Sequence, residues 1–485
     1  MQRCFAAVGL LLILAFGGAA ARADQARCEA FVNEDFSTLP EAATHLLAAS
    51  WSAPAENQAG YCELNGYIAP SVGFGIRLPA KDDWNGRFIF RGCGGFCGAV
   101  WIERCSDAVE RGYACIASDM GHKSTALDAK WAYNDRQAEI DFAFRATHVT
   151  AVAGKAITAR YYGTASNYAY YQGCSTGGRQ GMVAAQSFPE DFDGIIAGAP
   201  VINETGAGIQ LVWNVQANLD KDGKPILKAD DLPMIHSAAV NHCDANDGRE
   251  DGIIDDPRNC DFDPVSLICG RGNRDACLTP AQVEVVNKIY QGPVDDQGES
   301  LHLGGLMRGS ELNWTAYIGT EESPAVYDGF MGDLFRYMAY SEDPGPDWQL
   351  ESLPFTQDRS AFGVMERLYT GTNPDLRRFK RRGGKLLVYH GWRDQSVIPF
   401  FSLDYHAIAT RAMGGKQATE QFYRLFMIPG MNHCQGGPGP WEIDYLSAME
   451  AWVERGEPPE KLVGRNTQGG AVVMQRDLYP HVSAP

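Results

Sequence analysis

The stretch Gly173-Cys174-Ser175-Thr176-Gly177 constrains this chain more than any other, because of what flanks it. Tyr168 to Gln172 reads as a buried strand, and the apolar run through Met182, Val183, Ala184 and Ala185 as a helix. A G-x-S-x-G sequence between a strand and a helix is a sharp turn: the glycines leave room for the backbone, and the serine hydroxyl stands clear at the carboxyl end of a sheet. The first turn of the helix then directs its amides at developing negative charge. As a bare five-residue pattern the match is common, so its weight comes from this context.

The surrounding sequence supplies such a sheet. Arg87 to Phe90 reads as a strand leading into the glycine-rich run Gly92 to Gly98, and Gly112 to Ala117 as a second strand. From Arg136 to Tyr161, Phe142, Ala146, Val149, Ala153 and Ile157 recur near helical spacing. Strands alternating with helices predict a mainly parallel sheet covered on both faces. The alternation stops after Gly198-Ala199-Pro200, where residues 203–382 turn rich in Asp, Gly, Pro and aromatic residues and read as an inserted domain. It resumes with a strand at Lys385 to His390, a helix near Phe401 to Arg411, a strand at Tyr423 to Ile428 and a final helix from Trp441 to Arg455. The catalytic domain is thus expected in two parts, residues 24–202 and 383–485.

A serine hydroxyl needs a base to take its proton and an acid to orient that base. Asp394 follows the strand ending at His390, and His433 follows the next strand, so the chain order Ser175, Asp394, His433 is that of an α/β-hydrolase. His390 and His122 are the rival bases; His390 falls at a strand end and His122 precedes the serine. Donors for the tetrahedral oxyanion are available from the N–H of Thr176 and from the loop at Gly94 or Gly95. The triad accounts for that loop, which has no helix after it, so a dinucleotide site is not inferred and no organic cofactor is expected.

The compartment follows from the first residues and the cysteines. Arg3, the apolar run Phe5 to Phe16 and Ala21-Arg22-Ala23 read as a cleavable export signal over residues 1–23, too short to serve as a membrane span. Of 13 cysteines, Cys4 lies in that segment, and the even remainder suggests disulfides and a secreted or periplasmic protein. The spacing matches no zinc-ligand set. Cys174 precedes the serine and Cys434 follows the histidine, so a bridge between them would clamp the reacting pair. A formal charge of -18 disfavours nucleic acid as a partner.

The segment Cys243 to Asp256 concentrates carboxylates and glycines between Cys243 and Cys260. Asp244, Asp247 and Asp251, with the carbonyls of Arg249 and Ile253, form a hard-oxygen set suited to calcium, although the spacing is not that of an EF-hand. A role in stability rather than in chemistry is expected, since nothing in sequence ties the loop to Ser175.

Taken together, residues 173–180, residues 188–200, the acidic loop, His390-Gly391-Trp392-Arg393-Asp394 and His433-Cys434 resemble the tannase and feruloyl esterase family, which includes hydrolases of mono(2-hydroxyethyl) terephthalate. The resemblance spans most of the chain. It implies an α/β-hydrolase with a lid inserted between the nucleophile and acid strands, the triad above and the Cys174–Cys434 bridge. It also implies structural calcium on the five residues just named and pairs Cys28–Cys62, Cys243–Cys260 and Cys269–Cys277. Cys93 and Cys97 depart from the plainer glycine loop of the family, and the pairing of Cys93, Cys97, Cys105 and Cys115 stays open.

The activity implied is hydrolysis of small aromatic esters, feruloyl, galloyl or terephthaloyl, without membrane association. Trp314, Phe330, Phe335, Tyr337 and Trp348 are available for stacking, although packing is their default use. Arg308 and Trp392 are candidate substrate contacts. A serine peptidase would share the triad, and a calcium-binding protein on an inactive hydrolase scaffold is the competing class.

Overall fold

In the computed structural model, which describes residues 22–55, 59–270, 277–318 and 326–482, nine strands form one sheet in the order β1-β2-β3-β5-β4-β6-β7-β8-β9. These are β1 (Thr44–Ser52), β2 (Tyr61–Ile68), β3 (Val72–Pro79), β4 (Arg87–Arg91), β5 (Ala114–Ser118), β6 (Tyr168–Cys174), β7 (Gly194–Gly198), β8 (Lys385–Gly391) and β9 (Tyr423–Ile428). From β5 through β9 every neighbouring pair is parallel. Every residue of β5 and β7 is buried, as expected of short apolar strands with helices on both faces. The leader read over residues 1–23 lies outside the described residues but for its last two.

One edge of the sheet was not foreseen. β1, β2 and β3 form an antiparallel meander that joins the parallel part through β3 and β5. β2 alternates buried and half-buried residues, because only one of its faces meets the core. Cys28, buried on the segment before this meander, is bonded to Cys62 on β2.

The helical run read from Arg136 is present in three joined parts, Arg136–Ile140, a wider π turn at Asp141–Arg145, and α1 (Ala146–Tyr162). α2 (Thr176–Ser187) follows β6 directly. Between β7 and β8 the described residues contribute no strand to the sheet; they include α3 (Glu204–Ala217), α4 (Leu232–Cys243), α5 (Pro280–Gln291), α6 (Val326–Tyr337) and short turns. α7 (Phe400–Ala412) separates β8 from β9.

The last helix, α8 (Tyr445–Arg455), starts later than the sequence suggested, because Asp444 caps it by accepting the Ser447 N–H at 3.0 Å. A hairpin of β10 (Leu462–Gln468) and β11 (Ala471–Leu478), also unforeseen, ends the described chain. No described helix is long and apolar enough to cross a membrane.

Candidate active site

Ser175 sits between β6 and α2 with φ 64° and ψ -124°, a backbone conformation that is strained for a residue with a side chain. The packing around it explains why the flanking residues are glycines. A Cβ on Gly173 would meet the Gly177 backbone at 2.8 Å, and one on Gly177 would meet the Cys93 carbonyl at 2.6 Å. The strained turn is closed by hydrogen bonds from the Ser175 N–H to the Gly198 carbonyl (2.9 Å) and from the Arg179 N–H to the Ser175 carbonyl (3.0 Å).

His433 Nδ1 donates to Asp394 Oδ2 at 2.7 Å, which leaves Nε2 as the imidazole's free base. Asp394 is fully buried just beyond β8, and its Oδ1 accepts the N–H groups of Ser396 (2.8 Å) and Val397 (2.9 Å). Burial alone would raise its proton affinity; His433 and His390 outweigh that and hold the carboxyl well below the usual carboxylate range.

The rival histidines are occupied elsewhere. His390 is fully buried, donates to the Val397 carbonyl (2.8 Å), accepts from Ser402 (2.8 Å) and stands 3.2 Å from Asp394, so it braces the acid. His122 is stacked on Trp131 and contacts the Phe96 carbonyl, and burial pushes it down to about 4.

Six disulfides are present, Cys28–Cys62, Cys93–Cys97, Cys105–Cys115, Cys174–Cys434, Cys243–Cys260 and Cys269–Cys277. The fourth joins the neighbours of Ser175 and His433 across 260 residues of sequence. The second staples the glycine loop, and with the third it pairs all four cysteines left open above.

In that loop the Thr176 hydroxyl donates to the Gly95 carbonyl at 2.7 Å and the Cys97 N–H to the Gly94 carbonyl at 3.0 Å. Thr176 opens α2, so its N–H has no partner within the helix. Among the described residues, no turn or loop hydrogen bond engages the N–H of Gly94 or Gly95.

Two cavities meet at Ser175 and His433. One of about 580 Å³ is the more polar of the two and is lined by Arg91, Gly94, Gly95, Arg104, Asp107 and Tyr389. The other, of about 270 Å³, is largely apolar: Leu127, Val201, Leu211, Phe330, Met331 and Val397 line it, with Thr176, Gly95 and Glu204.

Of the aromatics considered for stacking, Phe330 alone is in its wall. Trp314 is fully buried against Tyr290, Phe335 stacks on Trp348, and Tyr337 packs on Tyr133. Neither Arg308 nor Trp392 lines either cavity, contrary to expectation. Arg308 donates to the Phe262 carbonyl at 2.9 Å and covers the Tyr290 ring, and buried Trp392 packs beneath Arg258. Glu204 carried no motif and was not singled out from the sequence; its only signal was an acid placed right after a capping Asn203.

The acidic loop folds back on Asp244, whose carboxylate accepts the N–H groups of Asp251 (3.3 Å), Gly252 (3.0 Å) and Ile253 (3.0 Å). Burial and the adjoining Asp247 raise the Asp255 carboxyl. Arg249 reaches Asp247 and Asp255, while Arg476 of β11 pairs with Asp251 and Asp255. These carboxylates are thus already paired with backbone N–H groups and arginines, and it is by ligand type alone, hard carboxylate oxygen, that they suit a divalent cation.

Known proteins place this geometry in context. The profile described as tannase and feruloyl esterase matches residues 57–485. A mono(2-hydroxyethyl) terephthalate hydrolase from Piscinibacter sakaiensis is 33% identical, over 95% of this chain and 89% of that protein. Feruloyl esterase B from Aspergillus niger is 31% identical, over 98% and 96%. The crystal structure of feruloyl esterase B from Aspergillus oryzae superimposes with a TM-score of 0.85 at 27% identity, covering 94% of this chain and 95% of that one. The chain has an α/β-hydrolase fold, is a carboxylic ester hydrolase, and belongs to the tannase and feruloyl esterase family.

Proposed function

We propose that the protein is an exported serine esterase that hydrolyses esters of aromatic carboxylic acids through an acyl-enzyme. The observation that carries this reading is His433, which is hydrogen-bonded to Asp394 on one side and shares two cavities with Ser175 on the other. The His433 Nε2 takes the Ser175 proton as the oxygen attacks the ester carbonyl, and the oxyanion is met by the N–H groups of Thr176 and of Gly94 or Gly95. His433 then protonates the departing alcohol. Water, deprotonated by the same imidazole, attacks the acyl-enzyme and releases the acid and free Ser175.

The aromatic acyl group occupies the apolar cavity, where Phe330 offers a ring face, and the alcohol leaves through the polar one. The insertion over residues 203–382 acts as the lid that supplies this apolar wall. Asp244, Asp247 and Asp251, with the carbonyls of Arg249 and Ile253, hold a structural calcium ion that neutralises the acidic loop. Six disulfides suit an oxidising compartment and support export.

The test is a hydrolysis panel of methyl ferulate, methyl gallate and a terephthalate monoester with wild type and Ser175→Ala. Turnover of at least one aromatic ester by wild type and by none in the variant is expected. Turnover that survives in the variant would refute the mechanism.

A further inference from the structure

Glu204 opens α3 and is only 5% exposed, yet it lines the apolar cavity beside Ser175. Its one charged neighbour there is Arg179, whose Nε stands 3.3 Å from Glu204 Oε2. Arg179 is fully buried on α2, four residues after Ser175, and its two terminal nitrogens donate to the carbonyls of Ala143 (3.0 Å) and Phe142 (3.4 Å). The guanidinium is therefore held from behind, and the carboxylate is presented in front of it.

The pair is close but incompletely satisfied. Neither Arg179 Nε nor Glu204 Oε2 has a partner in hydrogen-bonding geometry. Burial raises the proton affinity of Glu204 above the usual carboxylate range and Arg179 offsets this only in part, so a carboxyl oxygen able to accept a hydrogen bond stands in a largely apolar wall. A buried carboxylate has room for about four hydrogen bonds, and leaving them unmade is costly unless a ligand supplies a donor. Neutralising Arg179 requires a counter-charge, but it does not require that charge to face the cavity that opens onto the nucleophile.

We propose that Glu204 is the recognition group for a hydroxyl on the aromatic ring of the acyl moiety, making the enzyme selective for esters of phenolic acids. The phenol O–H donates to the Glu204 carboxylate, and methylation of that oxygen removes the donor and adds bulk. An acyl ring bearing a second carboxylate is disfavoured: no Lys or Arg is among the described residues lining this cavity, and burying an unpaired carboxylate in a largely apolar wall is costly. The inference rests on the acyl group entering this cavity, and it selects among the feruloyl, galloyl and terephthaloyl classes.

The experiment compares kcat/KM for two matched pairs, methyl 4-hydroxycinnamate with its 4-methoxy analogue and methyl gallate with its trimethoxy analogue, in wild type, Glu204→Gln and Glu204→Leu. Wild type is expected to prefer at least one hydroxylated partner by about tenfold or more, since a buried acceptor left unpaired penalises the analogue. The preference shrinks in Glu204→Gln and approaches about one in Glu204→Leu, chiefly through KM. Monomethyl terephthalate is a poorer substrate than methyl benzoate for wild type.

A wild type without hydroxyl preference overturns the proposal with no variant needed, and so does a preference that Glu204→Leu retains in full. An equal fall for both partners of each pair makes Glu204 purely structural and overturns it as well. Failure of the esterase reading would appear separately, as turnover surviving in Ser175→Ala.

Discussion

Cys174 and Cys434 are bonded to each other, and each is the chain neighbour of a residue that must meet its counterpart, Ser175 on one side and His433 on the other. Their Cα atoms are 5.9 Å apart although 260 residues separate them in sequence. The crosslink thus fixes the end of β6 against the loop after β9, beside Ser175 and His433.

Replacing both cysteines by serine should therefore do two things. Stability falls by about 2–5 kcal/mol, the usual range for a native disulfide in an exported protein. kcat falls more than KM rises, because register between base and nucleophile matters to the transition state and little to ground-state binding. Thermal unfolding and steady-state kinetics on one ester read the two effects; a lower melting temperature with wild-type kcat would show that the bridge serves stability alone.

Gly94 and Gly95 are adjacent in the glycine loop and should respond differently to alanine. Gly95 has φ +57°, and a Cβ on it would stand 2.2 Å from the Ala126 carbonyl oxygen, whereas a Cβ on Gly94 meets nothing within 4 Å. Gly95→Ala must therefore displace the loop, lowering stability and reducing kcat by about 100-fold or more if the loop supplies an oxyanion donor. Gly94→Ala should keep the wild-type melting temperature. Equal melting temperatures for the two variants would contradict this account of the loop.

The parallel part of the fold and the positions of Ser175, Asp394 and His433 in it were legible because their signals are local. β6, β8 and β9 are apolar runs that end shortly before Ser175, Asp394 and His433 in a fixed chain order, and the turn glycines stand beside the serine. The meander β1–β3 escaped because β2 carries Glu63 and Asn65 on its half-buried face, diluting the apolar signal over a short run. Substrate contacts were the least legible. Arg308 and Trp392 were chosen by residue type, but their surroundings come from Tyr290, Phe262 and Arg258, which only the folded chain brings near. Glu204 escaped for the opposite reason: at the start of a helix an acid is unremarkable, and only the cavity gives it meaning.

The acidic loop predicts a response to calcium that is separable from catalysis. Chelation of purified protein should lower the melting temperature, and added calcium should restore it, while KM changes little, since none of Asp244, Asp247 or Asp251 lines either cavity at Ser175. Asp244→Asn combined with Asp247→Asn should remove the calcium response. Identical melting curves for chelated and calcium-loaded wild type would rule the site out.

Glu139 makes stability depend on pH near neutrality. It is buried, 2% exposed, on the short helix before the π turn, 3.1 Å from Arg136, and accepts a hydrogen bond from the Tyr369 hydroxyl at 3.2 Å. Burial pushes its carboxyl up to about 7 from 4.5, against the opposing pull of Arg136 and with Asp343 and Asp135 adding to the rise. Because the folded state holds this proton more tightly than the unfolded chain, the stabilisation is complete below about pH 4.5 and is lost as pH rises through about 7. Glu139→Gln keeps an acceptor for Tyr369 and has no proton to lose. Its stability relative to wild type should therefore increase by about 1–3 kcal/mol between pH 5 and pH 8. Asp119, pushed up to about 6 by burial, adds the same slope to both proteins and cancels in the difference. Denaturant unfolding of the two proteins at both pH values and constant ionic strength measures this difference, and a gap that does not widen with pH would show that Glu139 is already ionised in the folded protein at pH 5.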